Sequence, residues 1–175
     1  YDWTPPENTT VYLISTMNPD GNVASDGRAL NLTGRLNARG VNLNRNFPGG
    51  IRTGKRGRQN YSGPRDLSEP ESRAVHEFLV DIDPRVLVVY HQHMNLIDFC
   101  GGNKGLQRAY AKRTKQRFTQ LKRYRGSMAT WYHKRRPKAT VMTVELDVTT
   151  PTKLVRRHRR ALKRFIRDYA DKAGG

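Results

Sequence analysis

The sequence is poor in the residues that cross-link a chain or embed it in lipid. It contains one cysteine, Cys100, in 175 residues. An internal disulfide framework is therefore excluded, and the fold must rest on packing and hydrogen bonds. No apolar run approaches the roughly 18–20 residues that a membrane-spanning helix needs, and no signal-peptide pattern opens the chain. Aromatic residues make up 9%. They are not interleaved with the basic clusters, which argues against stacking on single-stranded bases. Acidic residues are scarce in one region: residues 89–175 hold 5 of the 15 Asp and Glu.

What is present follows from that imbalance. Residues 89–175 carry 22 Lys and Arg against those 5 acids, whereas residues 1–88 carry 11 against 10, so almost all of the +18 net charge lies in the second half. Such a field attracts polyanions, whether nucleic acid, anionic lipid or cell-wall polymer. A hydrophobic content of 35%, spread in runs along the chain, suits one domain over 1–175 with a single sizeable core.

The runs predict alternating strands and helices. Val11-Tyr12-Leu13-Ile14-Ser15 reads as a buried strand that delivers an Asn18-Pro19-Asp20-Gly21 turn. Residues 22–66 are rich in Gly, Asn and Arg without periodicity, a long ordered loop region. Ser68-Glu69-Pro70-Glu71 has the pattern of a capping box. It opens a helix with Ala74, Val75, Phe78 and Leu79 on one face, ending near Asp83-Pro84. Val86 to Tyr90 reads as a strand covered on both faces, followed at once by His91. A basic helix is expected over about 105–120. Thr140 to Val144 is another buried strand with Glu145 directly after it. The last helix, about 153–172, has Leu154, Val155, Ala161, Leu162, Phe165, Ile166 and Tyr169 opposite its arginines. This alternation implies an α/β fold with a mostly parallel or mixed sheet and helices on both faces.

In open α/β sheets, ligands gather at the carboxyl ends of strands. That geometry collects the turn after Ile14, His91 and Glu145. A carboxylate at the edge of an apolar strand is costly unless exposed, paired or used. Arg35 and Arg45 lie in the half with balanced charge, so general basicity explains them less well. A guanidinium fork grips a carboxylate or a polarised carbonyl, and Asn44 adds a neutral donor beside Arg45.

Gly40-Val41-Asn42-Leu43-Asn44-Arg45-Asn46-Phe47-Pro48, with Asn18-Pro19-Asp20-Gly21 upstream and Tyr61-Ser62-Gly63-Pro64 downstream, resembles the substrate-binding core of the zinc carboxypeptidases (funnelins). The likeness extends to the segment around Glu145. It implies that Arg35 polarises the scissile carbonyl and that Asn44 and Arg45 bind the substrate carboxylate. It further implies that His91, at the end of Val89-Tyr90-His91, is a zinc ligand, with His93 the weaker candidate. Thr143-Val144-Glu145-Leu146 matches the strand that carries the family's general base, Glu145. His91 to Asp98 and Gly126 to Trp131 look more like bacterial murein-peptide amidases than digestive enzymes. The family also has a loop tyrosine before its last strand, a role open between Tyr124 and Tyr132.

The family draws two of its three zinc ligands from a His-x-x-Glu pair well before the Asn-Pro-Asp-Gly turn. No His-x-x-Glu occurs in this sequence, and His76-Glu77 stands alone in a helix. The resemblance thus implies the C-terminal portion of a carboxypeptidase-like catalytic domain, with zinc as cofactor if the missing ligands are supplied and none otherwise. The implied substrate is a peptide or murein peptide, cut near a free carboxylate. The alternative is a metal-free binding protein that uses residues 89–175 to hold nucleic acid or another polyanion.

Overall fold

The computed structural model describes residues 3–24, 32–50, 54–147 and 151–173. Five helices and four strands follow in the order α1 (Pro19–Ala24), α2 (Pro70–Ile82), β1 (Val86–Gln92), β2 (Leu96–Gly101), α3 (Lys104–Thr114), β3 (Arg117–Thr119), α4 (Met128–Arg135), β4 (Thr140–Leu146) and α5 (Pro151–Ala173). Two short 3-10 turns, Leu32–Arg35 and Leu43–Arg45, punctuate the loop region before α2. The strands form one sheet in the order β1-β4-β2-β3. β4 runs parallel to β1 and antiparallel to β2, and β3 runs parallel to β2, so the sheet is mixed.

The pleat sends successive side chains to opposite faces, and each face has its own apolar cluster. Val89, Cys100 and Val141 meet Leu79 of α2, Ala129 and Trp131 of α4, and Phe47 of the loop region. Ile97, Met142 and Val144 meet Leu106 and Tyr110 of α3 and Ala161 and Phe165 of α5. By the same alternation His91 shares a face with Val89, and Glu145 with Val141. Both therefore point to the side that α2, α4 and the asparagine-rich loop cover.

Several sequence expectations need correction. Residues 11–15 form no strand: Leu13 is 88% exposed, and among the described residues no ladder pairs with them. Apolar composition alone does not make a strand whose backbone groups lack a partner. The capping box at Ser68 is also absent. Glu69 is the N-cap and makes no side-chain cap. The Ser68 hydroxyl instead donates to Glu69 Oε1 at 2.7 Å. In α2, Ala74 is exposed while Val75, Phe78 and Leu79 pack inward. β1 lies at the sheet's edge and is only half-buried. The helix expected to reach 120 stops at Thr114, because Lys115 turns left-handed (φ 59°) and the chain enters β3. Glu145 lies within β4 rather than after it. Val155 is exposed on α5.

The loop region owes its order to asparagine amides. Asn46 is fully buried; its Nδ2 donates to Ser62 O at 2.8 Å, Arg65 O at 3.0 Å and Ser68 Oγ at 3.0 Å, and its Oδ1 accepts from Glu69 N at 3.2 Å. Asn42 Nδ2 donates to Gln59 O at 2.6 Å, and Asn37 Nδ2 to Glu69 Oε2 at 2.8 Å. Buried amides with every partner in place fix one loop conformation where side-chain burial cannot.

Two outcomes follow from this packing. Gly126 has φ +72°, and a Cβ there would stand 2.3 Å from Arg45 O. Gly126→Ala should cost about 2 kcal/mol in urea unfolding through strain and displaced backbone, and a change within about 0.5 kcal/mol contradicts this packing. The second concerns His158, which is buried with Nδ1 2.9 Å from Tyr110 Oη. Burial, with Arg157 beside it, pushes its pKa down to about 4. The unfolded chain, titrating near 6.5, then binds the extra proton first. This contribution to stability is complete above pH 6.5 and is lost as pH falls towards 4. His158→Gln should flatten the loss of unfolding midpoint between pH 7 and 5, leaving the part that His91 contributes in the same window. An unchanged slope contradicts it.

Candidate active site

Asn18 shapes the arginine-bearing loop from below. Its Nδ2 donates to Gly34 O at 3.2 Å and Leu36 O at 3.1 Å, the carbonyls on either side of Arg35. Its Oδ1 accepts from Gly21 N at 3.1 Å, which closes the Asn-Pro-Asp-Gly turn onto α1. Arg35 Nε donates to Gln59 O at 3.1 Å.

In Asn42-Leu43-Asn44-Arg45-Asn46 the inward residues Asn42, Leu43 and Asn46 are buried, and Asn44 and Arg45 are half-buried. Asn42 caps the 3-10 turn by accepting from Asn44 N at 3.1 Å. That cap aims the Asn44 side chain at β1 and α4. Its Nδ2 lies 3.3 Å from His91 Nε2, and its Oδ1 accepts from Met128 N at 3.0 Å. The second contact fixes the amide orientation, so Nδ2 donates and Nε2 of the imidazole accepts. Arg45 folds back to its neighbour, Nη1 to Asn44 O at 2.7 Å, under the Tyr124 ring at 4.6 Å.

His91 and Glu145 are direct partners in the β1–β4 ladder, which sets the imidazole and the carboxylate side by side. Burial first, then the charges of Arg35 and Arg45, push the His91 pKa down to about 4, so it is a neutral imidazole at physiological pH. Glu145 moves the other way: burial and the nearby Asp98 raise its pKa, against a hydrogen bond from the Met94 backbone and the charges of His93 and Arg35. Its Oε2 is buried without a hydrogen-bond partner among the described residues. Burial and Arg35 also lower the Arg45 pKa. The structure thus brings Arg35, Asn44, Arg45, His91 and Glu145 into one region at the carboxyl ends of β1 and β4.

The two tyrosines separate by burial. Tyr132 is fully enclosed and donates to Pro84 O at 2.6 Å, so it braces the core. Tyr124 is 51% exposed and covers Arg45, and it alone of the two reaches the site. His93 is exposed, next to a cis Gln92–His93 bond.

Sequence reasoning missed Asp98 and Arg123. Arg123 grips Asp98 with Nη2 to Oδ1 at 2.7 Å and Nη1 to Oδ2 at 3.2 Å, and reaches Cys100 Sγ at 3.0 Å. Leu121 N donates to Asp98 Oδ1 at 2.8 Å. This pair ties the loop that carries Tyr124 to the floor beside Glu145. One signal was available: an aspartate in the middle of Leu96-Ile97-Asp98-Phe99-Cys100, where an unpaired charge would be costly.

A catalytic zinc requires three protein ligands. Among the described residues no group of three His, Cys, Asp or Glu side chains could hold a metal. His91 is the single imidazole that faces Glu145 in the ladder, so these residues do not by themselves fit the ion.

The profile described as zinc carboxypeptidase matches residues 6–146, well over half of the chain. The human carboxypeptidase N catalytic chain is 36% identical over 83 residues, 39% of this chain and 18% of that protein. The murein-tripeptide amidase MpaA from Escherichia coli O157 superposes with a TM-score of 0.66 at 23% identity, covering 86% of this chain and 65% of the amidase. Carboxypeptidase A from Helicoverpa armigera gives a TM-score of 0.64 at 16% identity, over 90% of this chain and 50% of that one. The chain therefore spans less than two thirds of each of these relatives, and the two superpositions establish the shared fold. The chain belongs to the zinc carboxypeptidase family.

Proposed function

We propose that the constellation around Glu145 hydrolyses a peptide or amide bond adjacent to a free carboxylate, with a murein peptide as the favoured substrate class. The observation that carries this reading is the convergence of an Asn-Arg pair on a strand-end imidazole and carboxylate, through Asn44 and His91 at 3.3 Å. Nothing in the packing of the sheet requires these polar groups to meet. The murein preference rests on the structural likeness to a murein-tripeptide amidase.

In this reading Asn44 and Arg45 hold the substrate's carboxylate, the amide and guanidinium supplying directional donors. Tyr124 closes over the Arg45 end of the clamp. Glu145 takes the proton of the attacking water and returns it to the leaving amine. Its raised pKa brings the carboxylate closer to the operating pH, which favours both transfers. Arg35 stabilises the oxyanion as the carbonyl becomes tetrahedral. His91, held neutral, is the ligand that this constellation offers to the zinc of the family; two more protein ligands are needed to complete it.

Release of product from a murein tripeptide, followed by chromatography in zinc-supplemented buffer, tests the reading. Glu145→Gln should lower turnover by about 10²–10⁴-fold and Arg35→Gln by about 10²–10³-fold, with unfolding midpoints retained. No hydrolysis of murein or ordinary peptides by the protein with its two further zinc ligands supplied, or full turnover in Glu145→Gln, overturns it.

A further inference from the structure

The C-terminal end of α3 and the N-terminal half of α5 enclose an open groove of about 530 Å³, lined by Arg113, Lys115, Lys153, Arg156, Arg157, Arg160 and Ala161. Six of these seven residues are cations, and no carboxylate or aromatic ring is among them. Arg113 has a counter-charge, Asp168 at 3.0 Å, and Arg157 Nη1 reaches Thr114 O at 3.3 Å. Lys115, Lys153, Arg156 and Arg160 are exposed, and their side chains have no hydrogen-bond or ion-pair partner among the described residues. Their arrangement is unfavourable in the protein alone. The first turn of α5 has no acidic residue, so Lys153, Arg156 and Arg157 add positive charge close to a helix end whose dipole is already positive.

We propose that this groove binds the phosphate backbone of a double-stranded nucleic acid. Lys153, Arg156 and Arg160 recur at helical spacing on one face, and seven residues of helix span roughly 10 Å. Phosphates of one strand advance about 3.4 Å per nucleotide along a duplex axis, so that span matches roughly three of them. Without an aromatic ring the groove has no platform for unpaired bases, and its lining is cations suited to phosphate oxygens, with no Asn, Gln or carboxylate to read adenine or cytosine. Binding is therefore dominated by phosphate contacts and driven by counterion release. The groove lies under the sheet face opposite the Glu145 side chain, so the inference does not depend on the hydrolytic reading. The two sites share one link: Gln116, next to Lys115, donates from Nε2 to Glu145 O at 2.7 Å.

Fluorescence anisotropy of a labelled random-sequence DNA duplex of about 20 base pairs, at 50–200 mM salt, tests the proposal, with about four phosphate contacts costing about 100-fold in affinity across that range. The double variant Arg156→Gln/Arg160→Gln should bind about 10-fold more weakly at 50 mM salt and lower the log–log salt slope by about two. Lys134→Gln/Arg135→Gln removes the same charge from the exposed surface of α4 and should leave both quantities near those of the unaltered chain. An equal fall in the two double variants assigns the affinity to overall charge and overturns the proposal. So does undetectable duplex binding at 50 mM salt, or a preference for the unpaired strand.

Discussion

One side-chain amide holds the candidate site together. Asn44 faces His91 with its nitrogen and Met128 N with its oxygen, which joins the asparagine-rich loop, the end of β1 and the start of α4. Each of those elements packs independently on the sheet, but without Asn44 no described hydrogen bond would fix the loop against the imidazole. Asn42 caps the turn that presents Asn44, and Asn46 anchors the same turn to the entry of α2. Arg45 is carried along, its backbone pressed against Gly126 and its guanidinium beneath Tyr124.

The site is also an electrostatic compromise. Two arginines raise the local positive potential, and burial of the imidazole between their fields keeps it neutral. The same burial, with the charge of Asp98, raises the Glu145 pKa, and Arg35 lowers it. Asp98 would be an unpaired buried charge without the two-point grip of Arg123. That pair does more than neutralise, since it also fastens the segment leading to Tyr124. A carboxylate entering near Arg45 would meet a hollow of positive potential, with Glu145 Oε2 left without a partner among the described residues.

The sequence made the regular elements legible where apolar spacing was strong. The limits of α2, the course of β4 and nearly all of α5 follow from it, as do His91 and Glu145 at the carboxyl end of the sheet. Failures have particular causes. Residues 11–15 are apolar enough for a strand, but strands are defined by partners, which a local window does not contain. β2 carries Asp98 amid its apolar residues and so breaks the strand pattern, although the charge is satisfied by Arg123 far along the chain. β3 is three residues long, too short to show a period. The contact between Asn44 and Met128 spans 84 positions, and no local signal announces it. The choice between Tyr124 and Tyr132 likewise needed burial, which separates a ring over Arg45 from one sealed in the core.

The central claim is that the Asn44–Arg45 pair, poised beside His91 and Glu145, recognises a terminal carboxylate. Calorimetric titration of one short peptide in two forms, free acid and C-terminal amide, addresses it most directly. The account predicts at least about tenfold tighter binding of the free acid, about 1.4 kcal/mol, with the difference removed by Arg45→Gln. Equal affinity for the two forms in the unaltered protein would contradict it.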